Sequence, residues 1–158
     1  MRVVAPRYAG TNVDVPALLP EIASVFEGEG NVIFDVGGDD AGATALGRFH
    51  KNFSGVQYEM LYVVNRYRAM TAHPADTVET LREIERASRL RATAVVNNSH
   101  LKQLTDARTI QEAVPFGEEV AKLAGLPLLF TTAPRDIAEE LDIENLYPVD
   151  IYVRTPWE

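Results

Sequence analysis

Ten consecutive residues carry the densest chemistry in the chain: Asn31-Val32-Ile33-Phe34-Asp35-Val36-Gly37-Gly38-Asp39-Asp40. An apolar run meets an aspartate, then two glycines, then two more acids. An aspartate at the carboxyl end of a buried strand can organise Mg²⁺, usually through water. Glycines behind it let main-chain N–H groups approach an oxyanion, which is how a turn senses a terminal phosphate. Asp35 fits the metal role, and Gly37 and Gly38 fit the phosphate role. The same residues fit as well a buried strand that ends in a Gly-rich turn with solvated acids. Asp39 and Asp40 are adjacent, so their side chains diverge and make no general acid–base pair. One of them suits the cap of a following helix.

Three further apolar runs end in polar residues. Met60-Leu61-Tyr62-Val63-Val64 ends at Asn65, Ala92 to Val96 ends at Asn97-Asn98-Ser99, and Leu128-Leu129-Phe130 leads into Thr131-Thr132-Ala133-Pro134-Arg135-Asp136. Continuous apolar runs suit strands covered on both faces. Amphipathic stretches lie between them. The spacing predicts a helix from Pro74 to about Leu90, with Val78, Leu81, Ile84 and Ala87 facing inward. Its charges, including Glu85 four residues before Arg89, read as a solvated face. A second helix is predicted from Asp106 to Leu123, broken or kinked at Pro115 and ended by Gly125.

Upstream, Met1 to Pro6 reads as a short strand. Pro16 and Pro20 open a helix that carries Leu18, Leu19, Ile22, Val25 and Phe26. Ala41 to Phe53 reads as a modest helix. Downstream, Ile137 to Leu141 is a short helix, and Val149 to Val153 alternates like an edge strand.

This alternation predicts an α/β domain of three layers around a mostly parallel sheet. The carboxyl ends of parallel strands share one edge, and open α/β sheets bind ligands there. Asp35, Asn65, Asn97 and the Thr131–Asp136 loop are therefore predicted to line one edge. An asparagine amide offers both donor and acceptor to a ligand, but a strand-end asparagine also fits a plain Asx-turn.

The 158 residues suit one domain spanning 1–158. The net charge of −8 opposes binding to nucleic acid or to an anionic membrane. No apolar run is long enough to span a bilayer, and the N-terminus has no signal-peptide core. Without cysteine the chain has no disulfide, thiolate nucleophile or thiolate metal site, which fits a cytoplasmic protein. His50, His73 and His100 are far apart and lack metal-ligand spacing. Ser24, Ser54, Ser88 and Ser99 lack the strand-elbow setting of a hydrolase nucleophile. Tyr147, Tyr152 and Trp157 either pack on the sheet edge or form a partner patch.

The words Asp35-Val36-Gly37-Gly38-Asp39-Asp40-Ala41-Gly42-Ala43, Val63-Val64-Asn65, Val95-Val96-Asn97 and Ala133-Pro134-Arg135-Asp136 resemble those of a known family. So does Asp14-Val15-Pro16-Ala17-Leu18-Leu19-Pro20-Glu21-Ile22. The family is that of the deviant-Walker-A P-loop ATPases, the group of MinD, ParA, nitrogenase iron protein and the CooC-type maturation proteins. The resemblance spans nearly the whole chain, and the Asp35 block is its most specific part.

It implies a P-loop NTPase-type sheet, with ATP or ADP and Mg²⁺ as cofactors. Asp35 would organise Mg²⁺ through water, and Gly37 or Gly38 would sense the terminal phosphate. Asn97 would hydrogen-bond the adenine edge, the Pro134-Arg135 backbone would close over the base, and Asn65 would lie near the nucleotide. It also implies a homodimer in the complete family form and a protein client. Arg135 fits equally a surface charge paired with Asp136.

The family's glycine–lysine loop is missing from the sequence. No Gly-x-x-x-x-Gly-Lys-[Ser/Thr] stretch occurs, and no lysine follows Gly38 before Lys51. In the family the segment matching Met1–Pro6 follows that loop and a second strand. The chain thus resembles the C-terminal three-quarters of such an ATPase, N-terminally truncated and expected to be inactive alone. In the family the strands so removed flank the Asp35 strand, so the remaining strands are expected to need new pairing, a second copy or an N-terminal extension. The alternative is a non-enzymatic pseudo-ATPase whose sheet edge binds a protein. A receiver- or flavodoxin-like domain fits less well, because Val3-Val4-Ala5-Pro6 lacks the key motif of such a first strand.

Overall fold

The computed structural model describes residues 21–28, 30–38 and 40–152. The chain divides into two compact units, Met1–Tyr58 with Glu83–Leu90, and Glu59–Arg82 with Arg91–Glu158.

The second unit holds one sheet. Its strands are β1 (Leu61–Val64), β2 (Ala94–Asn97), β3 (Leu128–Pro134) and β4 (Leu146–Val149), in that spatial order and parallel throughout. Parallel neighbours need crossovers, and helices lie in each: α4 (Pro74–Ser88), α5 (Ala107–Ala124) and α6 (Arg135–Ala138). The predicted α/β class and parallel sheet are what form. The register sets Val64 beside Asn97 and Asn97 beside Thr131. The carboxyl ends of β1 and β2 are thereby level, and β3 runs three residues beyond.

The core follows from the apolar periodicity. All four residues of β2 are buried, while β1 alternates, with Tyr62 and Val64 inside. Leu81 of α4 and Ile110 and Val120 of α5 are essentially inaccessible. Burial pushes the Tyr62 phenol up to about 12, and its hydroxyl donates to the Thr77 carbonyl of α4 at 2.9 Å.

Helix α5 begins in a capping box. Thr109 N–H donates to the Asp106 carboxylate at 2.7 Å, and Asp106 N–H donates back to the Thr109 hydroxyl at 3.4 Å. The Thr109 hydroxyl also donates to the Asp106 carboxylate at 2.6 Å, and this bond first, then that of the Thr109 N–H, holds the Asp106 carboxyl below its usual range. The helix ends on Gly125 in the left-handed region, φ 71°. Pro115 does not break it: one helix runs from Ala107 to Ala124. The proline leaves the Gln111 carbonyl without its helical donor. The next two carbonyls accept from outside the helix, Glu112 from Arg66 and Ala113 from Asn97.

The predicted edge strand forms earlier than its alternation suggested. It is β4, Leu146–Val149; residues 150–152 are not strand, and Val153 lies outside the described residues. Pro148 sits in it, as an edge strand tolerates.

In the first unit, α1 (Glu21–Ser24), α2 (Asp40–Gly47) and α3 (His50–Phe53) accompany an aromatic cluster. Phe26 and Phe53 meet edge to face at 4.9 Å, and Phe34 lies 5.5 Å and 5.3 Å from them. The helix predicted over Ala41–Phe53 is interrupted at Arg48 and Phe49.

The strand predicted at Asn31–Asp35 is not formed. Residues 31–37 join no ladder, and Ile33 is 91% exposed. A run of apolar side chains becomes a central strand only where neighbours take up its main-chain groups. Here Phe34 alone turns toward the aromatic cluster. Glu85, expected on a solvated face, is 5% exposed. The predicted strand at Met1–Pro6 and the Pro16–Pro20 helix start lie outside the described residues. Among the described residues no helix is long and apolar enough to cross a membrane.

Leu81→Ala empties a fully buried site, and a loss of about 2–5 kcal/mol is expected. Leu104→Ala, at a residue 79% exposed, should stay within about 0.5 kcal/mol. Urea denaturation of the two variants checks the contrast.

Candidate functional site

The parallel register brings three of the predicted positions to one edge. Asn65 follows β1, Asn97 closes β2, and Pro134 closes β3 with Arg135 opening α6. Asp35, Gly37 and Gly38 belong to the other unit. Asp35 is exposed, on irregular backbone. Neither Gly37 nor Gly38 takes a positive φ, so the conformational freedom expected of them is not used. Close by, Gly42 is held to glycine, because a Cβ there would lie 2.6 Å from the Gly37 carbonyl oxygen.

Among the described residues no group of three His, Asp or Glu side chains could hold a metal ion. Mg²⁺ is held by one or two carboxylates together with waters and substrate phosphates, a smaller set than such a group.

Asn97 is completely buried, and its amide is fully engaged within the protein. Its Nδ2 donates to the Ala113 carbonyl at 3.0 Å and to the Thr131 hydroxyl at 3.4 Å. Its Oδ1 accepts from the Ser99 hydroxyl at 2.6 Å. A backbone carbonyl can only accept, so the Ala113 contact fixes which way the amide points. Ser99 in turn accepts from Arg66 N–H at 2.9 Å. A chain of hydrogen bonds thus runs from the loop after β1, through Ser99 and Asn97, to the middle of α5. The approach is so close that a Cβ on Gly117 would lie 2.8 Å from the Asn97 Cβ and 3.0 Å from its Nδ2.

Asn65 clamps two loops together. Its Oδ1 accepts from Tyr67 N–H at 2.9 Å and from His100 N–H at 3.4 Å, while its Nδ2 donates to the His100 carbonyl at 3.3 Å. The clamp sets Arg68 and Lys102 around His100. The half-buried His100 ring accepts the Lys102 N–H at Nδ1, at 3.2 Å. Burial first, then the charges of Arg68 and Lys102, lower the His100 pKa. The imidazole is therefore neutral near pH 7 and keeps its proton on Nε2. Lys102 itself has φ 56°, a left-handed backbone that a lysine adopts only when its surroundings hold it there. Its carbonyl accepts from the Thr105 hydroxyl at 2.6 Å.

Arg135 does not pair with Asp136. It forks onto Asp150, Nε to Oδ1 at 2.8 Å and Nη2 to Oδ2 at 2.9 Å, and this bond draws the Asp150 carboxyl down. The cleft beside it is lined by Asp136, Glu139 and Asp150, which disfavours an anionic ligand. Tyr147 packs on Phe130 at 5.1 Å, while Tyr152 is 85% exposed and Trp157 lies outside the described residues.

Arg68, His100 and Lys102 make a basic group on this edge that the sequence analysis does not single out, because an isolated histidine without metal-ligand spacing reads as structural or solvated. Its signal was present: Asn65-Arg66-Tyr67-Arg68 and His100-Leu101-Lys102 both place cations directly after strand ends in an acidic chain. No family model, no curated protein and no solved structure matches this chain.

Gly117→Ala sets two effects against each other. Alanine gains roughly 1 kcal/mol of helix propensity, whereas forcing a methyl into the Asn97 contact costs about 1–3 kcal/mol. It also disturbs a bonded buried amide, which adds about 1–3 kcal/mol if a partner is lost. Net destabilisation is expected, read as a lower denaturation midpoint; a more stable variant would show that α5 does not press on Asn97.

The His100 shift sets a pH dependence. Unfolded imidazole takes its proton near pH 6.5 and the folded ring only below that. The unfolded chain therefore binds more protons in that window, and stability is expected to fall as pH drops through it and to be complete above it. His100→Gln, whose amide oxygen can accept the Lys102 N–H, should flatten that part of a melting-temperature profile.

Proposed function

We propose that the chain is a nucleotide-binding module, using the carboxyl edge of its parallel sheet and not hydrolysing ATP on its own. One observation supports the reading: the strands are all parallel, β1 and β2 end level and β3 runs three residues further, so Asn65, Asn97 and Pro134-Arg135 follow strand ends on the same edge. Such edges are where open α/β sheets take ligands. Arg66, Arg68 and Lys102 on the same loops give that edge cations that suit a phosphate-bearing ligand.

The roles within this reading follow the hydrogen bonds. Asn97 is fully buried with both Nδ2 donors and its Oδ1 bonded within the protein, so in this reading it acts as a positioning residue and not as a reader of the base. Contacts to the ligand fall to the exposed loop residues. A nucleotide would bring phosphate charge and, with it, Mg²⁺. Phosphoryl transfer relies on positioned charge around the phosphates, and the sequence has no glycine–lysine loop to supply it.

A second reading, a non-enzymatic module that binds a protein, is favoured by the apolar residues on the same loops. Met70 is 86% exposed and Leu104 is 79% exposed. Either reading leaves the hydrogen-bonded base of the edge as scaffold.

Calorimetry with MgATP is expected to give a dissociation constant on the order of millimolar, since few donors offset the entropy of binding. No turnover should accompany it. A micromolar constant abolished by Asp35→Ala would overturn this picture, and no heat up to about 10 mM ATP would leave the protein-binding reading standing.

A further inference from the structure

We infer that Arg68, the Nε2–H of His100 and Lys102 form a binding site for an oxyanion of the phosphate class. The inference rests on the charges and the clamp described above, and it holds whether or not a nucleotide is the natural ligand.

Three observations lead there. The first is proximity. Asn65 ties the loop after β1 to the loop after β2 through both ends of its amide, and Arg66 N–H donates to Ser99 between them. Arg68 N–H donates to the Asn65 carbonyl at 3.2 Å and Lys102 N–H donates to the His100 ring at 3.2 Å, so both residues stand on one short, cross-linked piece of surface.

The second is charge balance. The carboxylates at the start of α5 are bonded within that helix. Glu112 takes Arg108 at 2.7 Å, and Asp106 takes the Thr109 hydroxyl and N–H at 2.6 Å and 2.7 Å. Arg66 is directed to the Glu112 carbonyl. Among the described residues neither Arg68 nor Lys102 has a carboxylate partner. Like charges held together without a counter-ion destabilise their surroundings, and a bound oxyanion removes that repulsion.

The third is the state of the ring. With Nδ1 accepting the Lys102 N–H, the imidazole offers a neutral N–H donor at Nε2. Neutral N–H, guanidinium and ammonium groups together meet the acceptor-only oxygens of a phosphate. The left-handed backbone of Lys102 is maintained at a position where an ordinary turn residue would relax. That cost is consistent with a place the fold keeps for binding.

The test uses the full chain labelled with ¹⁵N-histidine. Inorganic phosphate is titrated against sodium chloride at matched ionic strength, at constant pH. A saturable shift of the His100 ring nitrogens is expected, half-complete at roughly 1–10 mM phosphate, with His50 and His73 unmoved. Arg68→Gln and Lys102→Gln, both at exposed positions, should each weaken the effect about tenfold or more. Lys122→Gln, at a lysine beside Glu119, should leave it unchanged, and backbone amide spectra report whether each variant keeps its fold. Equal shifts with chloride, or phosphate affinity unaltered in both single variants, overturn the site.

Adenosine monophosphate in place of phosphate distinguishes the sources. Tighter binding of the ester points to a nucleotide, and equal binding points to the free oxyanion. Phosphate binding with no gain from adenosine keeps this site and defeats the nucleotide reading. Phosphate binding that survives both substitutions defeats this site, and ATP binding that survives them while the phosphate shift is lost keeps the nucleotide reading at another part of the edge.

Discussion

The carboxamide of Asn97 is the contact on which the carboxyl edge of the sheet depends. It reaches helix α5 two residues before Pro115, where the helical hydrogen-bond ladder is interrupted, and it fits only because residue 117 is glycine. The same amide holds Thr131 of the next strand and Ser99 of its own loop. A buried amide left partly unbonded would cost about 1–3 kcal/mol per group, a sizeable share of a domain's 5–15 kcal/mol or so. Fully bonded, it specifies one arrangement of strand, helix and loop. The loop that carries His100 and Lys102 starts from that fixed point.

The edge has an inner and an outer layer. The inner one is Asn97, Ser99, Thr131 and the half-buried Asn65, with their hydrogen bonds turned inward. The outer one is Arg68, Lys102 and the exposed side of His100, whose charges face solvent. This separation explains how a chain of net charge −8 presents a locally basic surface: the carboxylates beside it are taken up by Arg108 and by the α5 cap. It also divides labour, since the inner residues set geometry and the outer ones are free to meet a ligand.

Much of the fold was legible in the residue pattern, and the failures have physical causes. Strands β2 and β3 and helices α4 and α5 announced themselves because apolar period, capping residues and the closing Gly125 agreed. The Asn31–Asp35 run read as a strand because an apolar stretch gives no information about whether ladder partners exist. Asn97 read as a ligand contact because a strand-end amide looks the same whether it faces a base or a helix. The clue to its burial lay 20 residues away, in a glycine in the interior of α5, a position where glycine usually marks a close approach. The Arg68–His100–Lys102 group needed the fold, since two loops 30 residues apart become neighbours only when β1 and β2 pair.

Pro148 gives the two sides of the sheet different chemical ends. Thr131 N–H donates to the Asn145 carbonyl, so in a parallel ladder Asn145, Tyr147 and Val149 turn their main-chain groups toward β3, and Leu146 and Pro148 turn theirs away. The proline therefore deletes a donor from the outward side of β4. An incoming strand would find a gap in the row it has to read, and the ring would occupy the space where it should dock. This flank of the sheet is thus blunted against elongation, because an added strand beyond β4 would meet an incomplete ladder.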